Sequence, residues 1–161
     1  MRLVTSSLRE RRPAPVAAAK DLILYVEDEE DNRNIAAMRL GERYALLFAT
    51  NDREACECIA ANHGRLSAIL MDIQLKGSQL DGIQIVKLCR GTLPADAKPA
   101  YAQAAPVVKT PILFVTAFAE RYSEADLLGA GGDCVITKPV EFGQLTLALT
   151  NLHLERTVRR K

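Results

Sequence analysis

The chain has 161 residues, 48% of them hydrophobic, and a formal net charge of +1, which fits one domain with a real core and an ordinary water-soluble globular composition. Residues 1–20 and 152–161 hold nine Lys/Arg against two Glu, so a body of net −6 lies between basic ends. No apolar run approaches the about 18 residues of a membrane span and no signal-peptide core opens the chain, so no membrane partner is expected, and short terminal Arg clusters read as solvated tails rather than as a nucleic-acid surface.

Residues 1–20 run through Arg9-Glu10-Arg11-Arg12, Pro13, Pro15 and the run Ala17-Ala18-Ala19 without apolar periodicity, which predicts a flexible basic extension. Leu22–Val26 is a predicted strand that ends in Glu27-Asp28-Glu29-Glu30-Asp31. A helix should follow over about residues 31–42, capped by Asp31 or Glu30, with Ile35, Met38 and Leu40 as its apolar stripe and Gly41 as its stop. Tyr44–Ala49 is a second strand. Asn51 or Asp52 then caps a helix through Gly64, with Ala55, Cys58 and Ile59 on its inner side.

The third strand, Ala68–Met71, ends at Asp72 and a loop over residues 73–80. Asp81-Gly82 opens a helix with Ile83, Val86 and Leu88 inward. Residues 91–110 form a Pro/Ala-rich insertion containing Pro94, Pro99 and Pro106, and connections of that length are usually functional or disordered. Pro111–Val115 is the fourth strand, ending in Thr116, and Ala119–Gly129 makes a short helix. The fifth strand, Cys134–Thr137, ends in Lys138-Pro139. Glu141 starts a last helix to about Arg156. Leu145–Thr150 alternates like a strand, but length and position favour helix. Residues 157–161 are a basic tail.

Continuous apolar strands, rather than alternating ones, are what a parallel sheet covered on both faces requires. Five of them alternating with five helices specify a right-handed, doubly wound α/β domain of flavodoxin-like architecture, strand order 2-1-3-4-5. In such sheets ligands gather at the carboxyl ends of the strands. Acids, a lone Asp, a hydroxyl and a Lys stand at four of those ends. The four cysteines, Cys56, Cys58, Cys89 and Cys134, form no CxxC and no metal spacing with His; they are expected to be reduced, mostly buried thiols of a cytoplasmic protein. His63 and His153 are expected on the surface.

These residues resemble the receiver domain of two-component response regulators. Leu22–Asn32 looks like that family's first strand and acidic pair, and Ile69-Leu70-Met71-Asp72-Ile73 like its phospho-accepting strand, with Asp81-Gly82 beyond. Val115-Thr116-Ala117 matches its hydroxyl position and Thr137-Lys138-Pro139 its Lys-Pro. The resemblance covers about residues 20–155, so the domain is placed at 21–156. It implies a phosphoryl group accepted on Asp72 from a histidine kinase or phosphotransfer protein, a downstream protein partner, a possible homodimer and a cis Lys138-Pro139 bond.

The chemistry fits the set. A carboxylate becomes a useful nucleophile for phosphorus only when charge repulsion is relieved, which a Mg²⁺ on hard oxygen ligands does. Asp28 and Asp72 would bind it directly, Glu27 through water, and the Gln74 backbone carbonyl would complete the protein ligands. The Thr116 hydroxyl, the Ala117 N–H and the Lys138 ammonium would hold the phosphoryl oxygens. Taken singly, the acids are an ordinary solvated helix start and Asp72 an ordinary turn residue; their joint placement carries the functional reading.

Two departures from the family's pattern stand out. Lys76-Gly77-Ser78-Gln79 adds about two residues to the loop after Asp72. Val135 stands three residues before the Lys, where many receivers have an aromatic, so the aromatic switch is missing or replaced. Phe118 is expected to lean toward the phosphoryl site and slow hydrolysis by excluding water. Only about five residues follow the last helix, so no DNA-binding or catalytic output domain is expected and output should run through the face of the fourth helix, fifth strand and fifth helix. Leu147 and Leu154 lie off the core stripe there. The alternative is a pseudo-receiver scaffold that binds partners without phosphorylation. A phosphatase would want a second acid where Gln74 stands, and a flavin site would want a Gly-rich loop where the acids Glu27 to Asp31 stand.

Overall fold

The computed structural model describes residues 17–117 and 121–160. Residues 1–16 of the basic extension, Phe118, the start of the predicted short helix and Lys161 therefore lie outside the described residues. Five strands, β1 (Asp21–Val26), β2 (Tyr44–Ala49), β3 (Leu66–Met71), β4 (Ile112–Thr116) and β5 (Cys134–Thr137), pair in parallel in the order β2-β1-β3-β4-β5. Between them run α1 (Glu30–Leu40), α2 (Asp52–Asn62), α3 (Gly82–Arg90) and α4 (Glu124–Gly129), with α5 (Phe142–Arg159) after β5. This is the expected doubly wound fold.

Alternate residues of each strand feed opposite faces of the sheet, which is why the strands are apolar throughout. Leu24, Val26, Ile69, Met71 and Phe114 join α2, α3 and α4 on one side. Ile23, Tyr25, Leu70, Leu113 and Val115 join α1 and α5 on the other.

The inner face of α1 differs from the expected stripe. Ala36 and Leu40 are buried, one helical turn apart, while Ile35 and Met38 are 48% and 79% exposed. At 3.6 residues per turn Met38 lies about 200° from Leu40, so the two cannot share a face. The cap also moves: Glu29 is the N-cap, without a side-chain bond, and Glu30 and Asp31 sit inside the first turn, where carboxylates favour the helix dipole. In α2, Asn51 is the cap, and Cys56, rather than Cys58, is buried with Ala55 and Ile59. In α3, Ile85 and Cys89 join Val86 and Leu88 in the core, Ile83 is only half-buried, and Asp81 forms a capping box with Gln84. The ambiguous stretch near Leu145 is helical, and α5 runs to Arg159, through part of the expected tail.

The insertion is ordered. It makes two 3₁₀ turns, Ala95–Ala97 and Ala100–Ala102, and buries Leu93, Ala102 and Val108 against the α2–α3 side. Arg90, the last residue of α3, fastens its far end: the guanidinium donates to the Val108 carbonyl at 2.7 Å, the Thr110 and Gly131 carbonyls at 3.0 Å and the Asp133 carboxylate at 2.9 Å. All four cysteines are free; burial pushes the Cys56 thiol up to about 11 and the Cys89 thiol up to about 12. His63 and His153 are exposed. Among the described residues no helix is long and apolar enough to cross a membrane.

Candidate functional site

Parallel register brings the strand ends to one edge. Val26 pairs with Met71, Met71 with Phe114 and Thr116 with Thr137, so the residues one step beyond, Glu27, Asp72 and Lys138, emerge side by side. Backbone bonds continue the ladder past the strands: Glu27 N donates to the Ala49 carbonyl at 2.9 Å, and Asp72 N and Lys138 N to the Val26 and Thr116 carbonyls at 3.0 Å.

The Lys138 ammonium bridges two carboxylates, donating to Glu27 Oε2 at 2.6 Å and Asp72 Oδ2 at 2.8 Å. Glu27 is fully buried, and it also accepts from the Tyr25 hydroxyl at 3.2 Å and the Glu29 N–H at 3.0 Å. Asp72 Oδ1 accepts from the Ile73 N–H at 2.7 Å. Asp28 is half-buried at the mouth, where its Oδ2 accepts from the Lys76 N–H at 3.1 Å. One oxygen from each of Glu27, Asp28 and Asp72 lies within 4.8 Å of the others.

Burial raises the Asp72 carboxyl to about 6; the hydrogen bond and charge of Lys138 oppose this, and the Glu27 charge reinforces it. Burial alone would lower the Lys138 ammonium, but its bonds to Asp72 and Glu27 outweigh that and raise it. Burial, followed by the charges of Glu27 and Asp72, holds the Tyr25 phenol protonated as a donor. Two buried carboxylates thus share one ammonium, and a third, Asp28, stands at the mouth.

The other expected residues among those described lie on or just beyond β3, β4 and β5. Thr116 is fully buried at the end of β4 and Ala117, next in sequence, is exposed. Gln74 is exposed in the loop two residues after Asp72. Pro139 is exposed beyond a cis Lys138-Pro139 peptide bond. Val135 is half-buried in β5, in register with Phe114 and packed on the α2–α4 side of the core. Sequence reading missed Arg33, whose guanidinium donates to the Glu27 and Asp28 carbonyls at 2.9 and 2.8 Å and fixes the acidic turn. It also missed Tyr25, although a position two before Glu27 on a strand shares its face.

Fold and site define a doubly wound α/β domain with an acidic, lysine-bridged pocket at the carboxyl edge of its sheet. The sequence profile of the response regulator receiver domain matches residues 23–150, and the chain belongs to that family: it is the receiver domain of a two-component response regulator. A putative NtrX-like response regulator of Rickettsia bellii is 37% identical over 73 residues, covering 45% of this chain and 15% of the relative. Its counterpart in Rickettsia conorii is 25% identical over 129 residues, covering 80% of this chain and 24% of the relative. The chain thus spans under a quarter of the length of these curated relatives.

Among solved structures, a Clostridium difficile two-component response regulator is 25% identical with a TM-score of 0.68, covering 86% of this chain and 98% of that one. The receiver domain of a Pseudomonas aeruginosa sensor histidine kinase, with a magnesium ion coordinated in its active-site cleft, is 24% identical with a TM-score of 0.64, covering 84% and 98%.

Proposed function

We propose that this receiver domain accepts a phosphoryl group on Asp72 from a histidine kinase or histidine phosphotransfer protein, in a Mg²⁺-dependent reaction. The supporting observation is the Lys138 bridge between Glu27 and Asp72, set within three carboxylates whose oxygens lie within 4.8 Å of one another. The donor set fits a hard divalent cation: all-oxygen ligands at the right spacing, with more carboxylate charge than Lys138 can balance. Asp28 and Asp72 would hold Mg²⁺, with the Gln74 carbonyl. Glu27, whose oxygens already accept from Lys138, Tyr25 and the Glu29 N–H, would act through water. The ion, when bound, supplies charge that relieves the repulsion between Asp72 and an anionic donor.

An Asp72 carboxylate oxygen forms the bond to phosphorus as the P–N bond of the donor's phosphohistidine breaks, leaving an aspartyl phosphate. Thr116, the Ala117 N–H and Lys138 receive the phosphoryl oxygens, Lys138 giving up its bond to Asp72 Oδ2 for one to phosphate. The domain catalyses only its own phosphorylation and dephosphorylation. Output passes to a downstream protein through the α4–β5–α5 face, where Leu147 and Leu154 are 61% and 56% exposed; that face also admits a second copy of the chain. Val135 stands on β5 where many receivers carry an aromatic, and Pro139 follows Lys138 at the edge of the site. Such partners place the protein in the cytoplasm.

Calorimetric titration with Mg²⁺ tests the pocket. Wild-type protein should bind it at millimolar concentrations and Asp28→Asn about tenfold more weakly, a difference of about 1.4 kcal/mol. Absence of a binding isotherm for the wild-type protein would remove the metal from the account.

A further inference from the structure

Asp52, the first residue of α2, is a carboxylate only 4% exposed. It is not needed as the helix cap, because Asn51 accepts from the Glu54 N–H at 2.9 Å and does that work. The Asp52 carboxylate instead accepts from the Gln79 and Leu80 N–H groups at 3.0 and 2.9 Å and from the Arg53 N–H at 2.9 Å, and its own N–H donates to Ser78 Oγ at 2.9 Å. It therefore grips one end of the loop over residues 73–80. The middle of that loop is tied to the acidic pocket by the Lys76 N–H on Asp28.

The fourth donor to Asp52 comes from the insertion: the Tyr101 hydroxyl bonds to Oδ2. Tyr101 is itself clamped. Its neighbour Ala102 is fully buried, the Arg53 guanidinium lies 4.7 Å from its ring centroid, and the insertion is anchored again where Val108 N donates to the Cys89 carbonyl at 2.8 Å. Burial, then the bond and charge of Asp52, keep the Tyr101 hydroxyl protonated as a donor, and hydrogen bonds led by Tyr101 hold Asp52 ionised against its burial.

We infer that the insertion over residues 91–110 is a strap whose Tyr101, acting through Asp52, fixes the loop that carries Gln74 and Lys76 against the acidic pocket. Tyr101 and Asp52 are thus positioning residues. The inference rests on the proposed reading of that pocket as a Mg²⁺ and phosphoryl site. The extended loop and the insertion, which look unrelated in sequence, meet on one buried carboxylate. Extra loop residues raise the conformational freedom that must be lost to present Gln74, and the strap supplies the restraint.

The test uses Tyr101→Phe, Asp52→Ala and the double variant of the full chain, with two readouts. In Mg²⁺-free protein, Tyr101→Phe should speed amide exchange at Gln79 and Leu80 by about tenfold while the Glu54 amide, held by Asn51, is unchanged. In Mg²⁺ calorimetry, Tyr101→Phe should bind about threefold and Asp52→Ala about tenfold more weakly, with the double variant no weaker than Asp52→Ala. Unchanged exchange at Gln79 and Leu80 overturns the strap. So does a lowered melting temperature with unaltered Mg²⁺ affinity, which would mark Tyr101 as mere packing. If wild-type protein binds no Mg²⁺, the pocket reading fails instead, and the exchange data alone decide whether the insertion restrains the loop.

Discussion

Lys138→Met is expected to cost the metal-free protein about 3 to 5 kcal/mol of stability at pH 7, because it leaves two buried carboxylates without their common cation. Glu27 is fully buried and the Asp72 side chain 8% exposed, both bonded to Nζ. The pH dependence has a definite sign. Asp72 titrates at about 6 in the fold, above an ordinary carboxyl, so its protonation contributes stability that is present below the unfolded value and lost as pH rises through the folded one. Without Lys138 the folded value moves higher still, so the deficit of the variant should narrow as pH falls toward 5. Urea unfolding in EDTA at pH 5 and pH 7.5 measures both effects. Adding Asp72→Asn to Lys138→Met should restore part of the loss at pH 7.5. A loss below about 1 kcal/mol at pH 7 would mean that the ammonium does not compensate the acids.

Gly82→Ala is the second large effect. Gly82 opens α3 directly against the segment that follows β3, its N–H donating to the Ile73 carbonyl at 2.8 Å. A Cβ there would lie 2.0 Å from the Asp72 carbonyl oxygen and 2.8 Å from Ile73 Cα. Both are backbone, so no side chain can swing aside, and α3 must part from the strand end. Gly82 has no positive φ; the constraint is contact, not conformation. The expected cost is about 3 kcal/mol, at the upper end of overpacking effects, together with slower phosphoryl uptake as Asp72 is displaced. Thermal unfolding and uptake from acetyl phosphate read the two consequences. A variant as stable as wild type would show that the contact relaxes freely.

The strand ends were legible in the sequence because each apolar run stops at a polar residue, and a parallel sheet sends those stops to one edge. Glu27, Asp72 and Lys138 follow from that rule alone. Where the chain is helical the reading was weaker: α1 offers Ile35, Met38, Ala36 and Leu40, and only packing into the core on its side of the sheet decides that Ala36 and Leu40 go inside. Contacts between distant residues left no local trace. Tyr101 reaches Asp52 across 49 positions, and the alanines and prolines around it leave function and disorder both open because nothing nearby names the surface that buries Ala102 and Val108. Nothing local in the sequence marks Arg33, yet its donors close the turn that presents Asp28.

Intact-mass spectrometry of the purified protein with Mg²⁺ and acetyl phosphate, alongside Asp72→Ala, tests the central claim most directly. The account predicts a gain of one phosphoryl group that requires Mg²⁺ and disappears in the variant. A wild-type protein that gains nothing, or an Asp72→Ala variant that gains the same group, would contradict it.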